Sequence, residues 1–220
     1  MFKLVIFDLD GTLLDTIEDL ANSTNYALQQ HGFAVHSVDE YRFFVGNGVN
    51  KLIERALPPE HRNADMISML KEDFREHYFT HSEECTKPYK GIDALLRELH
   101  GKGIKLAVAS NKMHAATERL VKYFFPEIPF EIILGQRDRV PVKPHPEIVN
   151  EIVSTCNVSK AETLYVGDSG VDAATAYNAN VTFAGVLWGF RPQKELEEVG
   201  ATLFVSEAVD ILEIVFGRNR

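Results

Sequence analysis

The sequence has few cysteines and lacks a long apolar run. Only Cys85 and Cys156 occur among 220 residues, without metal-type spacing, which favours a reducing compartment over a disulfide-bonded secreted domain. No apolar run approaches the length that spans a bilayer. A charged segment followed by a cleavable apolar stretch is also missing ahead of the first strand-like residues, so we expect no secretion signal. These absences predict a cytoplasmic protein that does not enter a membrane.

Basic clusters are also missing from the chain. The 23 Lys and Arg residues are outnumbered by 32 Asp and Glu residues, for a formal charge of −9. This balance argues against nucleic acid or an anionic membrane as a partner, although a local basic pocket for a small anion remains possible. The length allows one large domain or a domain that carries an insertion.

The first stretch with a clear pattern is the apolar run Leu4–Phe7 and the acidic residues that follow it. A short, continuous apolar run is typical of a central strand in a parallel sheet, and Gly11 ends it. Because side chains alternate along a strand, Asp8 and Asp10 point the same way and Leu9 points to the core. Two neighbouring carboxylates need a cation or a shared proton, unless they only end a strand and begin a turn.

The segment 15–86 has helical periodicity and no strand pattern. Its first helix begins near Ile17 and ends at His31-Gly32, and Ser37 to Glu40 has the form of a capping box that starts a second helix. Further apolar periodicity predicts helices at 49–57 and 60–81. Some seventy helical residues exceed an ordinary connection between strands, so we predict an inserted helical cap at 15–86 and a core formed by 1–14 and 87–220.

The second half alternates between helix and strand, which predicts a doubly wound, Rossmann-like α/β core with a mainly parallel sheet. The predicted strands are 104–109, 131–134, 163–166, 182–187 and 202–205. Polar residues collect where these strands and the first one end, namely Asp8, Asp10, Ser110, Asn111 and Asp168. Ligands bind at the carboxyl edge of open parallel sheets, so these residues are candidates for one site.

Four motifs in this order resemble those of the haloacid dehalogenase superfamily. They are Asp8-Leu9-Asp10-Gly11-Thr12, Ser110-Asn111, Lys143-Pro144 and Gly167-Asp168-Ser169-Gly170-Val171-Asp172. The helical insertion after the first motif is similar to the small cap of the phosphoglycolate phosphatase branch of that superfamily. Within the cap, Val45-Gly46-Asn47-Gly48-Val49 and Glu54-Arg55-Ala56-Leu57 carry this closer likeness.

The resemblance implies phosphoryl transfer assisted by Mg²⁺. Asp8 would be the nucleophile that forms an aspartyl-phosphate, and Asp10 would be the general acid and base. The metal ligands would be the carboxylates of Asp8 and Asp168 and the main-chain carbonyl of Asp10, which would also relieve the repulsion between the acids. Asp172 would order the groups around the metal or orient Lys143 of the third motif.

The resemblance also implies a phosphate-binding set. The Ser110 hydroxyl, the Asn111 backbone and amides near Gly11 and Thr12 would donate hydrogen bonds to phosphate oxygens. Lys143 would supply a fixed positive charge beside them.

The cap loop Gly46-Asn47-Gly48 is expected to contribute to substrate choice, because loops without side chains can approach a ligand closely. The expected substrate is a small phosphorylated metabolite, with 2-phosphoglycolate as the leading candidate. A β-phosphoglucomutase-like mutase and an inorganic pyrophosphatase remain alternatives. A non-enzymatic module that binds phosphorylated ligands is disfavoured because Asp8 is present. The sequence leaves open the roles of His145 and Arg191, and whether the protein is a monomer or a homodimer.

Overall fold

The computed structural model describes residues 1–217, which contain eight strands and ten α-helices. The strands are β1 Leu4–Phe7, β2 Leu14–Asp15, β3 Lys87–Pro88, β4 Lys105–Met113, β5 Ile132–Gln136, β6 Thr163–Gly167, β7 Thr182–Val186 and β8 Phe204–Val205. The helices are α1 Ile17–Gln30, α2 Val38–Phe44, α3 Val49–Ala56, α4 Ala64–His81, α5 Ile92–Gly101, α6 His114–Phe124, α7 Glu147–Cys156, α8 Gly170–Ala179, α9 Gln193–Glu198 and α10 Asp210–Phe216. None of the described helices is long and apolar enough to cross a bilayer.

Six strands form one parallel sheet in the order β5-β4-β1-β6-β7-β8. This topology confirms the predicted doubly wound core, and β1 occupies the centre as expected. Phe7 at the end of β1 pairs with Val108 on one side and Val166 on the other. The chain segments that leave these three strands therefore emerge side by side at one edge.

The sheet separates two apolar layers because side chains alternate along each strand. Val5 and Phe7 face a layer that includes buried residues of α5 and α10. Leu4 and Ile6 face the other layer, which includes α7 and α8. Because β1 is buried on both faces, the packing of the sheet fixes the position of Asp8, the first residue after the strand.

A third apolar cluster lies within helices α1 to α4 and includes Tyr41, Phe74 and Tyr78. Ser37 and Glu40 form the predicted capping box of α2. The fourth helix begins later than predicted, at Ala64, because residues Pro59–His61 form a 3₁₀ turn and Asn63 caps α4 by accepting from Met66 N. Strands β2 and β3 pair at the base of this helical segment. The limits of the cap as a domain stay a prediction.

Strand β4 is longer than predicted. The sequence places its end at Ala109, but the strand continues to Met113, with a register shift against β5 between Ala109 and Met113. Residues 110–112 therefore lie in the strand itself, buried despite being polar. They reach past β1 into the space between the sheet and the helical segment.

Candidate active site

Three carboxylates meet at the carboxyl edge of the sheet. Asp8 follows β1, Asp168 follows β6, and Asp172 lies in the first turn of α8, where Ser169 and Asp172 form a capping box. One oxygen from each carboxylate lies within 4.8 Å of the others, and all three residues are buried. The central position of β1 beside β6 is what brings these residues together.

Lys143 is the cation of this cluster and is 2 % exposed. Its Nζ lies 2.7 Å from Asp172 Oδ1 and 2.9 Å from Asp8 Oδ1. It donates hydrogen bonds to Asp172 Oδ1, Ala109 O and Tyr165 Oη. The contact with Asp8 is an ion pair without hydrogen-bond alignment, so Asp8 Oδ1 keeps a free acceptor.

Two carboxyl groups of this cluster, those of Asp8 and Asp168, have raised pKa values. Burial and the negative charge of Asp172 raise the pKa of Asp8 to about 7, against a partial opposing effect of Lys143. Burial and the charges of Asp172 and Asp8 raise the pKa of Asp168 well above its usual range. Three acids share a single lysine, so the site has an excess of negative charge that a cation would balance.

The donor set fits a hard divalent cation. Oxygen ligands from several carboxylates are the groups that Mg²⁺ and similar ions prefer. Asp168 is held rigidly, since its Oδ2 accepts from Phe190 N at 2.7 Å. A Cβ on Gly11 or Gly189 would lie 2.3 Å or 2.2 Å from atoms of Asp168, so both glycines are needed for it to fit. Asp172, which was expected to order the groups around the metal or to orient Lys143, is the third member of the acidic trio.

Asp10 lies apart from the trio and has its own cation. Its Oδ1 accepts from Thr16 Oγ1 at 2.7 Å and from Lys112 Nζ at 2.9 Å, and its Oδ2 lies 3.3 Å from Lys112 Nζ. Lys112 is 8 % exposed, and its Nζ lies 4.6 Å from the centre of the Tyr78 ring. The sequence analysis missed Lys112, although a lysine directly after Ser110-Asn111 at the end of an apolar strand was a signal that could have found it.

Ser110 and Asn111 line the same cavity as Asp8 and Lys143. Ser110 Oγ accepts from Lys112 N at 3.1 Å. The Asn111 side chain accepts from Lys143 N at 2.8 Å and donates to Lys143 O at 3.1 Å. It also donates to the carbonyl of Gly46 at 3.0 Å. Asn111 therefore joins the lysine loop of the core to the cap loop.

The cap loop faces the site through its glycines, and Arg191 anchors it by donating to Val45 O at 2.9 Å. Gly46 and Gly48 line the cavity, whereas Asn47 Oδ1 accepts from Arg55 at 2.7 Å. The side chain of Asn47 thus supports the loop from the cap side. Arg191 thus contacts the cap loop and also lines the cavity.

The remaining predicted residues lie nearby in different settings. Thr12 Oγ1 points to Asp168 Oδ1 at a long 3.5 Å, and Gly11 has a φ of 88° beside the same carboxylate. His145 is exposed and its ring accepts from Glu147 N. His145 therefore lies on an exposed loop, and its ring is hydrogen-bonded to Glu147 N rather than to one of the acids.

A cavity of about 50 Å³ lies between the core and the cap. Its core side presents Asp8, Asp10, Ser110, Lys112, Lys143 and Asp168. Its cap side is apolar and includes Leu20, Val45, Val49, Leu52 and Phe74. One wall is charged and the other apolar, which is the arrangement expected where a polar reaction is closed off from water.

Comparison with known proteins agrees with this geometry. The family model for haloacid dehalogenase-like hydrolases matches residues 5–186. A phosphoglycolate phosphatase of Cereibacter sphaeroides (strain ATCC 17025 / ATH 2.4.3) is 35% identical over 216 residues, with 94% of this chain and 96% of that protein covered. The phosphoglycolate phosphatase of Aquifex aeolicus is 31% identical over 188 residues, with 86% of each protein covered.

Comparison with solved structures identifies similar folds. A crystal structure from Lactobacillus delbrueckii subsp. bulgaricus superposes with a TM-score of 0.92 at 33% identity and covers 99% of each chain. A predicted phosphoglycolate phosphatase of Haemophilus somnus superposes with a TM-score of 0.89 at 27% identity and covers 97% of each chain. The family match spans both motif-bearing halves of the chain. This protein is an enzyme of the haloacid dehalogenase-like hydrolase family.

Proposed function

We propose that this enzyme hydrolyses 2-phosphoglycolate, or a phosphate monoester of similar size, with Mg²⁺ as its metal. The observation that carries the proposal is the cavity lined by Asp8, Asp10 and Lys143 opposite an apolar cap wall. Relatives that share about a third of its residues over nearly the whole chain bear the name phosphoglycolate phosphatase.

Asp8 is the proposed nucleophile. It stands at the end of a rigid central strand, and its Oδ1 has no hydrogen-bond donor aligned on it among the described residues. A carboxylate so placed can attack phosphorus and form an aspartyl-phosphate, which water then hydrolyses. Lys143 would offset the negative charge of the phosphate from its place beside Asp8, and the Ser110 hydroxyl would donate to a phosphate oxygen during both steps.

Asp10 is the proposed acid and base. It would give a proton to the oxygen of the departing alkoxide and later take one from the attacking water. Thr16 and Lys112 fix its carboxylate beside the site. The two acids thus have different roles because their partners differ.

The metal would be held by Asp8 and Asp168, with the Asp10 carbonyl as a further proposed ligand. When bound, a divalent cation supplies positive charge that offsets the buried carboxylates and the phosphate. Asp172 would keep Lys143 in place, since its Oδ1 lies 2.7 Å from Nζ. Burial of the cluster between sheet and cap keeps bulk water away from these charges.

The test is a substrate panel assayed with Mg²⁺ and with EDTA. The panel contains 2-phosphoglycolate, β-glucose 1-phosphate, inorganic pyrophosphate and p-nitrophenyl phosphate, each followed by phosphate release and product analysis. We expect the highest kcat/KM for 2-phosphoglycolate and loss of turnover in EDTA. Glucose 6-phosphate formed without free phosphate would replace the proposal by a mutase, and preferred cleavage of pyrophosphate would replace it by a pyrophosphatase.

A further inference from the structure

Lys112 is a buried cation that lines the cavity beside Asp10, the proposed acid for the leaving group. Its Nζ contacts both carboxylate oxygens of Asp10, and Lys112 lines the cavity together with Leu20 and Phe74. A lysine is rarely buried without a use for its charge. The roles proposed so far need Lys112 only to hold Asp10, although its ammonium group reaches the cavity from the side where a leaving group would lie.

The other two cations that line the cavity among the described residues are occupied elsewhere. Lys143 uses its donors on Asp172, Ala109 and Tyr165. Arg191 donates to the carbonyls of Phe43 and Val45. Lys112 is therefore the cation that remains to meet a negative charge on the leaving group.

Tyr78 provides a second polar group at the same place. Its side chain is 1 % exposed, and its hydroxyl makes no aligned hydrogen bond among the described residues. Burial raises the pKa of Tyr78 to about 12, so the hydroxyl keeps its proton near neutral pH. A buried donor without an acceptor, next to an ammonium group, is a place where an anion would be bound.

The contacts of Asp10 add a reason for Lys112 to move. Oδ1 accepts from Thr16 and Lys112, and Oδ2 lies 3.3 Å from the same ammonium. A general acid has to present one oxygen to the leaving group. An anion that draws Lys112 away from Asp10 would free Oδ2 for this contact.

We propose that Lys112 and Tyr78 bind the carboxylate of the leaving group, and that Lys112 exchanges Asp10 for this carboxylate when substrate enters. The inference rests on the proposed function and names the residues that select its substrate. In 2-phosphoglycolate one methylene separates the ester oxygen from the carboxylate, so a group that contacts Asp10 lies within reach of both. Lys112 keeps its proton throughout and changes only its partner.

The apolar cap wall makes the selection stringent. Leu20, Leu52 and Phe74 offer a carboxylate no other hydrogen bond, and a charge enclosed by them without a partner is costly. A neutral leaving group cannot attract Lys112, which then stays on Asp10. The enzyme should therefore prefer a carboxylate over a hydroxyl at this position.

The experiment compares 2-phosphoglycolate with 2-hydroxyethyl phosphate, which keeps the ester oxygen and methylene but replaces the carboxylate by CH₂OH. For Lys112→Met we expect the preference for 2-phosphoglycolate over 2-hydroxyethyl phosphate, as the ratio of their kcat/KM values, to fall about 20-fold. The lost contact with Asp10 should add a loss that both esters share. Tyr78→Phe should lower kcat/KM about tenfold, again mainly with 2-phosphoglycolate. Lys112→Arg should keep part of the preference for 2-phosphoglycolate that Lys112→Met loses. The control is Lys51→Met, since Lys51 is an exposed cap lysine that pairs with Glu54.

Equal losses on both substrates, with unchanged preference, would overturn the inference and leave Lys112 as a positioning residue for Asp10. Binding to Asp8→Asn, measured by calorimetry with Mg²⁺ present, separates this failure from failure of the proposed function. If the wild type hydrolyses neither ester, the proposed function fails. The inference then stands only if two results are found together. Asp8→Asn must bind 2-phosphoglycolate more tightly than 2-hydroxyethyl phosphate, and adding Lys112→Met must remove that difference in affinity. Circular dichroism spectra and Tm values exclude misfolding as the cause.

Discussion

The two walls of the cavity differ in how they are built. The core wall has side chains fixed at the ends of buried strands, with Lys143 tied to Asp172 and Asp8. The cap wall has apolar side chains and a glycine loop that meets the core through main-chain carbonyls, as where Asn111 donates to Gly46 O. Charged side chains that cannot move suit chemistry, whereas a loop attached by a few hydrogen bonds can open and close.

This difference separates the reaction from the choice of substrate. Groups on the core wall act on the phosphoryl group, which every phosphate monoester shares. Lys112, which reaches toward the cap from the core wall, and Tyr78 of the cap would meet the part of the substrate that differs between esters. Changes at Asp8 and its partners should therefore affect kcat for all substrates, and changes at Lys112, Tyr78 and the cap loop should affect KM and preference.

The largest effect expected is at Asp8. Asp8→Asn should lower kcat at least about a thousandfold on every ester, because the amide is a poor nucleophile. Phosphate release measures the loss, and Asp39→Asn is the control, since the Asp39 side chain is 92% exposed. Turnover within about tenfold of the wild type in the purified variant would remove Asp8 as the nucleophile.

A smaller effect is expected in the stability of the metal-free protein. The pKa of Asp8 is raised from an ordinary 3.8 to about 7, so the native state binds a proton more tightly than the unfolded state. Its contribution to stability is fully present below pH 3.8 and is lost as the pH rises through 7. In EDTA at pH 8, Asp8→Asn should therefore raise Tm by about 4 °C, corresponding to about 1 to 2 kcal/mol, and by less at pH 5.

Mg²⁺ should change which of the two proteins, the wild type or Asp8→Asn, has the higher Tm. Millimolar Mg²⁺ should stabilise the wild type more than Asp8→Asn, because the ion replaces repulsion by attraction only where the carboxylate is present. Thermal unfolding monitored by circular dichroism measures both effects. A variant that melts at or below the wild-type Tm at pH 8 in EDTA would show that the acidic cluster is not strained by its charge.

The smallest effect expected is in the cap loop. At Gly48, which has a φ of 82°, an added Cβ would lie 2.9 Å from Gln136 Oε1. Gly48→Ala should push the loop from the core and raise KM about fivefold, or about 1 kcal/mol, with little change in kcat. Steady-state kinetics on 2-phosphoglycolate provides the measurement.

Gly32→Ala is the matched control for this change. Gly32 has a similar φ of 73°, and none of the described atoms lies within 4 Å of its added Cβ beyond its own chain neighbours. Both variants should lose about 1 kcal/mol of unfolding free energy to backbone strain, but only Gly48→Ala should change KM. An equal rise in KM for both would mean that cap stability, rather than contact with the core, governs binding.

The parallel core could be predicted because its signals are local. Apolar runs bounded by glycine and polar residues indicated the buried strands, and the position of Asp8 after β1 followed from the run before it. Helices α1 and α3 followed from periodicity in the same way. The start of α4 was wrong because a 3₁₀ turn and the Asn63 cap interrupt a pattern whose apolar spacing continues across them.

Lys112 shows what the sequence could not decide. Its partners Asp10 and Tyr78 lie 102 and 34 positions away along the chain, and the continuation of β4 beyond Ala109 depends on packing against neighbouring segments. The contact of the Asn47 side chain with Arg55 within the cap could likewise not be predicted. Such pairings are fixed by long-range contacts that leave no periodic signal.

The sequence by itself therefore determined the parallel sheet and the places of Asp8 and Asp168 at the ends of its strands, because each depends on the order of neighbouring residues. Tertiary structure alone decided which cation serves which acid. Lys143 lies between β5 and α7 and is enclosed by Asp8 and Asp172, whereas Lys112 lies near the end of β4 and is enclosed by Asp10 and Tyr78. Charge pairing depends on distance and burial, and both arise only when the sheet and the cap close around the same space.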